Sequence, residues 1–412
     1  MRRPGPGLTL ALLSAALVAQ AEETKEQLES AARRHLASKD AVAALADYQR
    51  LAQINPRSAV YQDQIGFLLA ATNHASESIS CFRHATELDP KMALAWYHLG
   101  VALWLSQQTG PAVNALRKAV DLAPDSAAFR VRLGLAYATM GREAEAVSEL
   151  TKASRQLPND ADLWESLGLA YQHQKRFKQA AEAYRRAVAL NPKNIAVRNS
   201  LGQALVNSGD PDAGLKEFRK ILESEPDNLH VAVNVGYAYI AAGNYKEAIR
   251  QLSELVQLHP DLSSAHYDLG VAYKQTDDLP RARAELEKAV QLEPSLAEAH
   301  FTLAMTDTGL GDMSNAVKQL RAAVEQRPDY AEAWFKLGSI LKDQGDADGA
   351  IEALRRAVAL DATDAGAFNN LGLLLRRKGD TQGANDALAQ AAAIRKAEAE
   401  RKERKLGQTP SR

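Results

Sequence analysis

The 412-residue chain has one cysteine, Cys81, so no internal disulfide can form and stability must come from packing. Beside Phe82 in a helical stretch, Cys81 reads as a small buried hydrophobe. Aromatic residues are scarce at 6%, and charge of one sign is not in excess: 50 Lys plus Arg face 51 Asp plus Glu, a formal charge of -1. Nucleic-acid binding draws its affinity from phosphate neutralisation, so this balance excludes a global field for DNA or RNA. No apolar run reaches the ~20 residues that a bilayer span requires. Also missing are a phosphate loop, a dinucleotide glycine fingerprint, a Gly-x-Ser-x-Gly elbow and a His-Glu-x-x-His helix. No catalytic residue, metal site or cofactor is therefore expected.

The start of the chain has the pattern of a secretory leader. Arg2 and Arg3 precede a nearly unbroken apolar stretch from Leu8 to Ala19, and Ala19-Gln20-Ala21 supplies a small-x-small cleavage site. Cleavage after Ala21 removes residues 1–21 and implies a periplasmic or secreted protein.

What the chain has in abundance is periodicity. Pro56, Pro90, Pro124, Pro158, Pro192, Pro226, Pro260, Pro294 and Pro328 recur every 34 residues. Gly66, Gly100, Gly134, Gly168, Gly202, Gly236, Gly270, Ala304, Gly338 and Gly372 keep the same interval, as do small residues from Ala112 to Ala384. The register divides the chain into eleven units: 25–58, 59–92, 93–126, 127–160, 161–194, 195–228, 229–262, 263–296, 297–330, 331–364 and 365–398.

Each unit predicts two antiparallel helices. In 161–194, Trp164, Leu167, Gly168 and Tyr171 share a helical face, and Ala180, Tyr184 and Ala187 continue the pattern after a polar break. The recurring glycine lets the helices approach closely. Between them, Gly141, Gly209, Gly243, Gly311, Gly345 and Gly379 suit left-handed C-caps. Asp210, Asn244, Asp312, Asp346 and Asp380 suit N-caps. The proline then ends the second helix.

Trp164-Leu167-Gly168-Tyr171-Ala180-Tyr184-Ala187-Pro192 resembles the tetratricopeptide repeat pattern, and the resemblance covers 25–398. It implies an all-α solenoid, a right-handed superhelix of helix pairs. Trp96, Trp164 and Trp334 keep the family tryptophan, whereas Arg130, Arg198, His266 and His300 replace it, which predicts looser contacts there. His266 and His300 read as packing residues, since zinc needs three or four ligands. Gln344, Asp346, Asp348 and Gly349 imitate a calcium loop, but Arg355 occupies the place of its bidentate Glu, so a capped turn fits better. Lys396 stands where proline belongs, so the last helix is expected to run on into a charged cap or tail at 399–412, with a basic contact site as the rival reading.

The resemblance also implies that first helices line a concave groove. Two apolar patches on groove positions are candidate partner-binding sites: Tyr97, Val101 and Trp104, and then Tyr237, Ile240, Tyr267, Val271, Phe301, Met305 and Phe335. The family's carboxylate clamp is missing, because Asn199 and Gln203 are followed by Asn234, Ser264 and Asp268 where cations are needed. The expected function is a non-enzymatic protein-protein interaction scaffold that takes a peptide or helix of a protein partner, without nucleic acid or a membrane span. The alternatives are a structural spacer acting through its ends and an accessory subunit of an envelope enzyme complex.

Overall fold

The computed structural model describes residues 24–407, with only the backbone of 404–407. The leader expected at 1–21 lies outside the described residues. Twenty-two helices, and no strand, occur among the described residues. The chain divides into two compact units, Met1–Ala204 and Leu205–Arg412.

In the first unit α1 (Lys25–Ala37) pairs with α2 (Ala41–Ile54), and α3 (Ala59–Ala71) with α4 (Ala75–Leu88). The hairpins α5 (Ala93–Leu105) with α6 (Thr109–Leu122), α7 (Ala127–Thr139) with α8 (Glu143–Ser154), and α9 (Ala161–His173) with α10 (Phe177–Leu190) follow. Helix α11 (Ile195–Asn207) contains the division. The second unit continues with α12 (Pro211–Ser224), then pairs α13 (Leu229–Ala241) with α14 (Tyr245–Leu258), and α15 (Ser263–Gln275) with α16 (Leu279–Leu292). It ends with the pairs α17 (Ala297–Gly309) and α18 (Met313–Gln326), α19 (Ala331–Asp343) and α20 (Ala347–Leu360), and α21 (Ala365–Arg377) and α22 (Thr381–Gly407). Each unit is a solenoid in which every hairpin covers the apolar side of the next.

The turn inside each hairpin needs one residue with positive φ. Gly141 at 68° and Gly345 at 86° meet this without strain, and the same place is filled by Lys39, Asn73, Gln107, Lys175 and Asp277 at φ of 56° to 67°. Aspartates then cap the second helices: Asp210 accepts from the Ala213 N–H at 3.1 Å and Asp380 from that of Gly383 at 2.9 Å. Asn244, expected to do the same, makes no side-chain cap, and α14 starts from its backbone carbonyl instead. Asp346 accepts from the Gly349 N–H at 3.0 Å, so the calcium-loop look-alike is a capped turn.

Most second helices end two residues before the recurring proline, as α4 at Leu88 ahead of Pro90 and α10 at Leu190 ahead of Pro192, while α8 stops earlier, at Ser154 ahead of Pro158. Proline is not required for the stop, since α20 ends at Leu360 with Ala362 in its place; where Lys396 stands there, α22 runs on and extends over 27 residues.

The recurring glycine is where the two helices of a hairpin come closest. A Cβ on Gly168 would lie 2.7 Å from the Tyr184 ring, and one on Gly236 would lie 2.5 Å from Leu252. Tyr184 and Leu252 are themselves fully buried, so they have little room to yield. Ala304 shows that the chain accommodates one methyl at this place, buried in the same core cluster as Leu320.

Gly236→Ala is expected to cost about 1–3 kcal/mol. Lys175→Gly is expected to gain about 1 kcal/mol by relieving the left-handed turn. Because repeat arrays unfold in pieces, local amide exchange in α13–α14 and α9–α10 is the measurement that checks these changes.

Candidate functional site

Successive first helices touch one another within each unit, α3 with α5, α5 with α7 and α7 with α9, then α13 with α15, α15 with α17 and α19 with α21. They make a face whose rows are set by the 34-residue period. In the first unit Tyr97, Val101 and Trp104 are half-buried against the core. Tyr97 stacks on Phe129 with ring centroids 4.5 Å apart. Val101 and Trp104 border a cavity of about 80 Å³ together with Leu116, Arg132 and Leu135. Much of this patch therefore serves the joint between hairpins.

The second unit carries the longer row. Tyr237 is exposed, and its hydroxyl donates to Asn207 Oδ1 at 2.8 Å. Ile240, Tyr267, Val271, Phe301, Met305 and Phe335 are half-buried. Phe301, Met305 and Phe335 rest on the core beneath, leaving one side of each uncovered. Tyr330, in the turn ahead of α19, joins the row by packing on Phe301 at 5.0 Å, with the Arg327 guanidinium 4.6 Å above its ring. Burial, then the charge of Glu332, pushes the Tyr330 hydroxyl up to about 12. Tyr330 escaped the sequence reading because it lies outside the helical period. Asp268 follows Tyr267 on α15 and is 8% exposed, and burial lifts its carboxyl from 3.8 to about 7.

A second recurring feature joins one hairpin to the next. Trp96, Trp164 and Trp334 donate their indole N–H to the carbonyls of Pro90, Pro158 and Pro328 at 2.9–3.0 Å. Arg130 and Arg198 reach Pro124 and Pro192 at 2.8 and 2.9 Å, and His266 and His300 reach Pro260 and Pro294 at 3.1 Å. The replacements expected to loosen this joint keep it instead, because Trp, Arg and His all present an N–H at the required length. They also add a bond, with Arg130 to Glu149, His266 to Glu285 at 2.7 Å and His300 to Gln319 at 2.6 Å. This pairing accounts for both histidines as structural residues.

The roomier clefts lie elsewhere. One of about 600 Å³ is bounded by Thr151, Trp164, Tyr171, Glu182 and Arg186. Another of about 400 Å³ occupies the same repeat position in the second unit, bounded by Arg321, Trp334, Leu341 and Glu352. Both lie between consecutive second helices, and neither contains a residue of the predicted patches. Cys81 is half-buried against the core, where burial, then Glu77, raises its thiol.

Tetratricopeptide repeat models match residues 66–127, 301–365 and 341–400, a second such model matches 103–169 and 239–305, and the TPR domain of cytochrome c-type biogenesis protein H matches 150–266. Together they cover most of the described chain, which belongs to the tetratricopeptide repeat family. Among solved structures, a tetratricopeptide repeat protein from Parabacteroides merdae is 16% identical with a TM-score of 0.53, over 60% of this chain and 98% of that one. Yeast Tom70 is 16% identical with a TM-score of 0.47, over 94% and 97%. MamA is 25% identical with a TM-score of 0.38, over 40% and 97%. No curated protein matches. Of these, the first supports the fold.

At position 266, Trp is expected to hold local stability about 1 kcal/mol better than Phe, since only Trp keeps the bond to Pro260. Amide exchange in α15 compares the two variants. For Asp268 the folded carboxyl keeps its proton up to about pH 7 while the unfolded chain loses it near 3.8, so stability falls as pH rises through that window. Asp268→Asn is expected to match wild type near pH 4 and to exceed it at about pH 8 by up to roughly 4 kcal/mol. Urea titrations across that range, followed at α15, supply the check.

Proposed function

We propose that this chain is a non-enzymatic scaffold outside the cytoplasm, binding a peptide or amphipathic helix of a partner protein on the first-helix face of its second unit. Tetratricopeptide folds bind proteins and peptides as a class. The observation that carries the proposal is the row Tyr237, Tyr267, Phe301, Met305 and Phe335. It presents a run of rings and apolar side chains at the surface of consecutive first helices, with Phe301, Met305 and Phe335 anchored below by the core. Preformed anchors of this kind lose little freedom on binding and concentrate the energy in a few contacts.

Two further observations support the remaining parts. The leader-like sequence of residues 1–21 supports the location, and no described helix is long and apolar enough to cross a membrane. The match to the TPR domain of a cytochrome c-type biogenesis protein favours a role in assembling other proteins over a purely mechanical one. The non-enzymatic part is supported by the family, whose repeat scaffolds are generally non-enzymatic.

Cross-linking mass spectrometry on the protein in its native envelope is expected to place a partner segment on α13, α15, α17 and α19. Combined Tyr267→Ala and Phe301→Ala should weaken that partner's binding by about tenfold or more, with helix content unchanged by circular dichroism. Cross-links confined to α22 would instead establish the spacer reading, in which the end of the chain makes the contact.

A further inference from the structure

Four carboxylates are buried among the described residues: Asp47, Asp63, Asp268 and Asp307. Three of them face a base, although Asp63 Oδ2 and Asp307 Oδ1 are left without a hydrogen bond. Asp47 takes His35 Nδ1 at 2.7 Å, Asp63 takes His98 Nδ1 at 2.8 Å, and Asp307 has the Arg283 guanidinium at 3.2 Å. Among the described residues, no hydrogen bond or ion pair reaches Asp268.

A carboxylate held mostly out of water without a partner, as Asp268 is at 8% exposure, is destabilising, and the chain could have avoided it with a neutral residue. Its place in the fold is informative. Asp268 adjoins Tyr267 on α15, and α15 packs on α13, which carries Tyr237. Its charge is felt at both hydroxyls: Tyr237 is raised by burial and then by Asp268, and Tyr267 by burial, against Thr302, with Asp268 adding to the rise. Tyr237 is 37% exposed and Asp268 directly follows Tyr267, so the acid belongs to the helices that form the face where partner binding was placed above.

We propose that Asp268 is a specificity site, receiving the lysine or arginine side chain of a bound peptide whose apolar neighbours lie along Phe301 and Phe335. This rests on the groove reading. The complementarity is of two kinds. The cationic head supplies the partner that the buried acid lacks, and it displaces no existing one. The methylene stem crosses the apolar ground between Tyr237 and Tyr267, whose ring faces favour a cation. A peptide with a neutral or acidic residue at that point would leave the carboxylate unpaired or repelled, so Asp268 selects against it.

Fluorescence anisotropy with the full chain tests this, using labelled dodecapeptides of alternating Leu, Phe and Ser with a central Lys, Arg, norleucine or Glu. Lys and Arg peptides are expected to bind roughly tenfold or more tighter than the norleucine peptide, and Asp268→Asn should bring them within about twofold. Zero-length carbodiimide coupling supplies a check that needs no variant: the peptide lysine should link to Asp268, and linkage only to Glu298 or Glu332 overturns the assignment. If Lys and norleucine peptides bind wild type equally, and both weaken with Tyr267→Ala and Phe301→Ala, the Asp268 proposal fails and the groove reading stands. If none of the peptides binds, or those two substitutions change nothing, both fail.

Discussion

Two helices lie closest where one of them has almost no side chain, glycine at most of the hairpins and a single methyl at Ala304. That constraint, repeated at Gly66, Gly100, Gly134, Gly168, Gly236, Gly270, Gly338 and Gly372, sets the distance within each hairpin. The facing residue, Phe82, Tyr184, Leu252 or Leu354, then fills the space against the opposite backbone and is buried by it. From that distance follow the turn length, the small residues such as Ala180 and Ala248 with no exposed surface, and the outward rows that the first helices leave for contact. A protein with one cysteine must find its cohesion in such repeated contacts.

The joint between hairpins works on another principle. There the proline stands just past the second helix, where that helix cannot continue through it, and its carbonyl accepts from a donor six residues further on. What the joint needs is an N–H at a certain reach, and an indole, a guanidinium and an imidazole each provide one. Shape is secondary here, so seven joints keep the bond with three different side chains, while Ala232 and Phe368, which have no side-chain N–H at this position, do without it. Arg130 and His266 even strengthen it with a carboxylate on the adjoining second helix.

The surface follows from what these two contacts use up. Core and joints consume the small residues, the leucines and most of the buried polar groups, and each buried acid but one is matched inside the molecule. What is left on the second unit is a row of partly covered rings, with a buried acid that lacks a partner next to Tyr267. A surface of that composition gains from a partner with apolar side chains and a cation, which is a requirement of electrostatics and burial more than of fold.

Periodicity made most of the architecture readable in advance. Helix pairing, the left-handed turn at Gly345, the cap at Asp346 and the run of α22 past Lys396 all depend on local backbone chemistry, which a sequence states directly. The residues Tyr237, Tyr267, Phe301 and Phe335 were legible as a row for the same reason. Tertiary structure alone decided three things: that Tyr97 is largely occupied by Phe129, that Tyr330 joins Phe301 from a turn, and that Asp268 is buried without a partner. Each depends on which side chain arrives from a neighbouring hairpin, and a pattern of residue types along one chain holds no record of that distance.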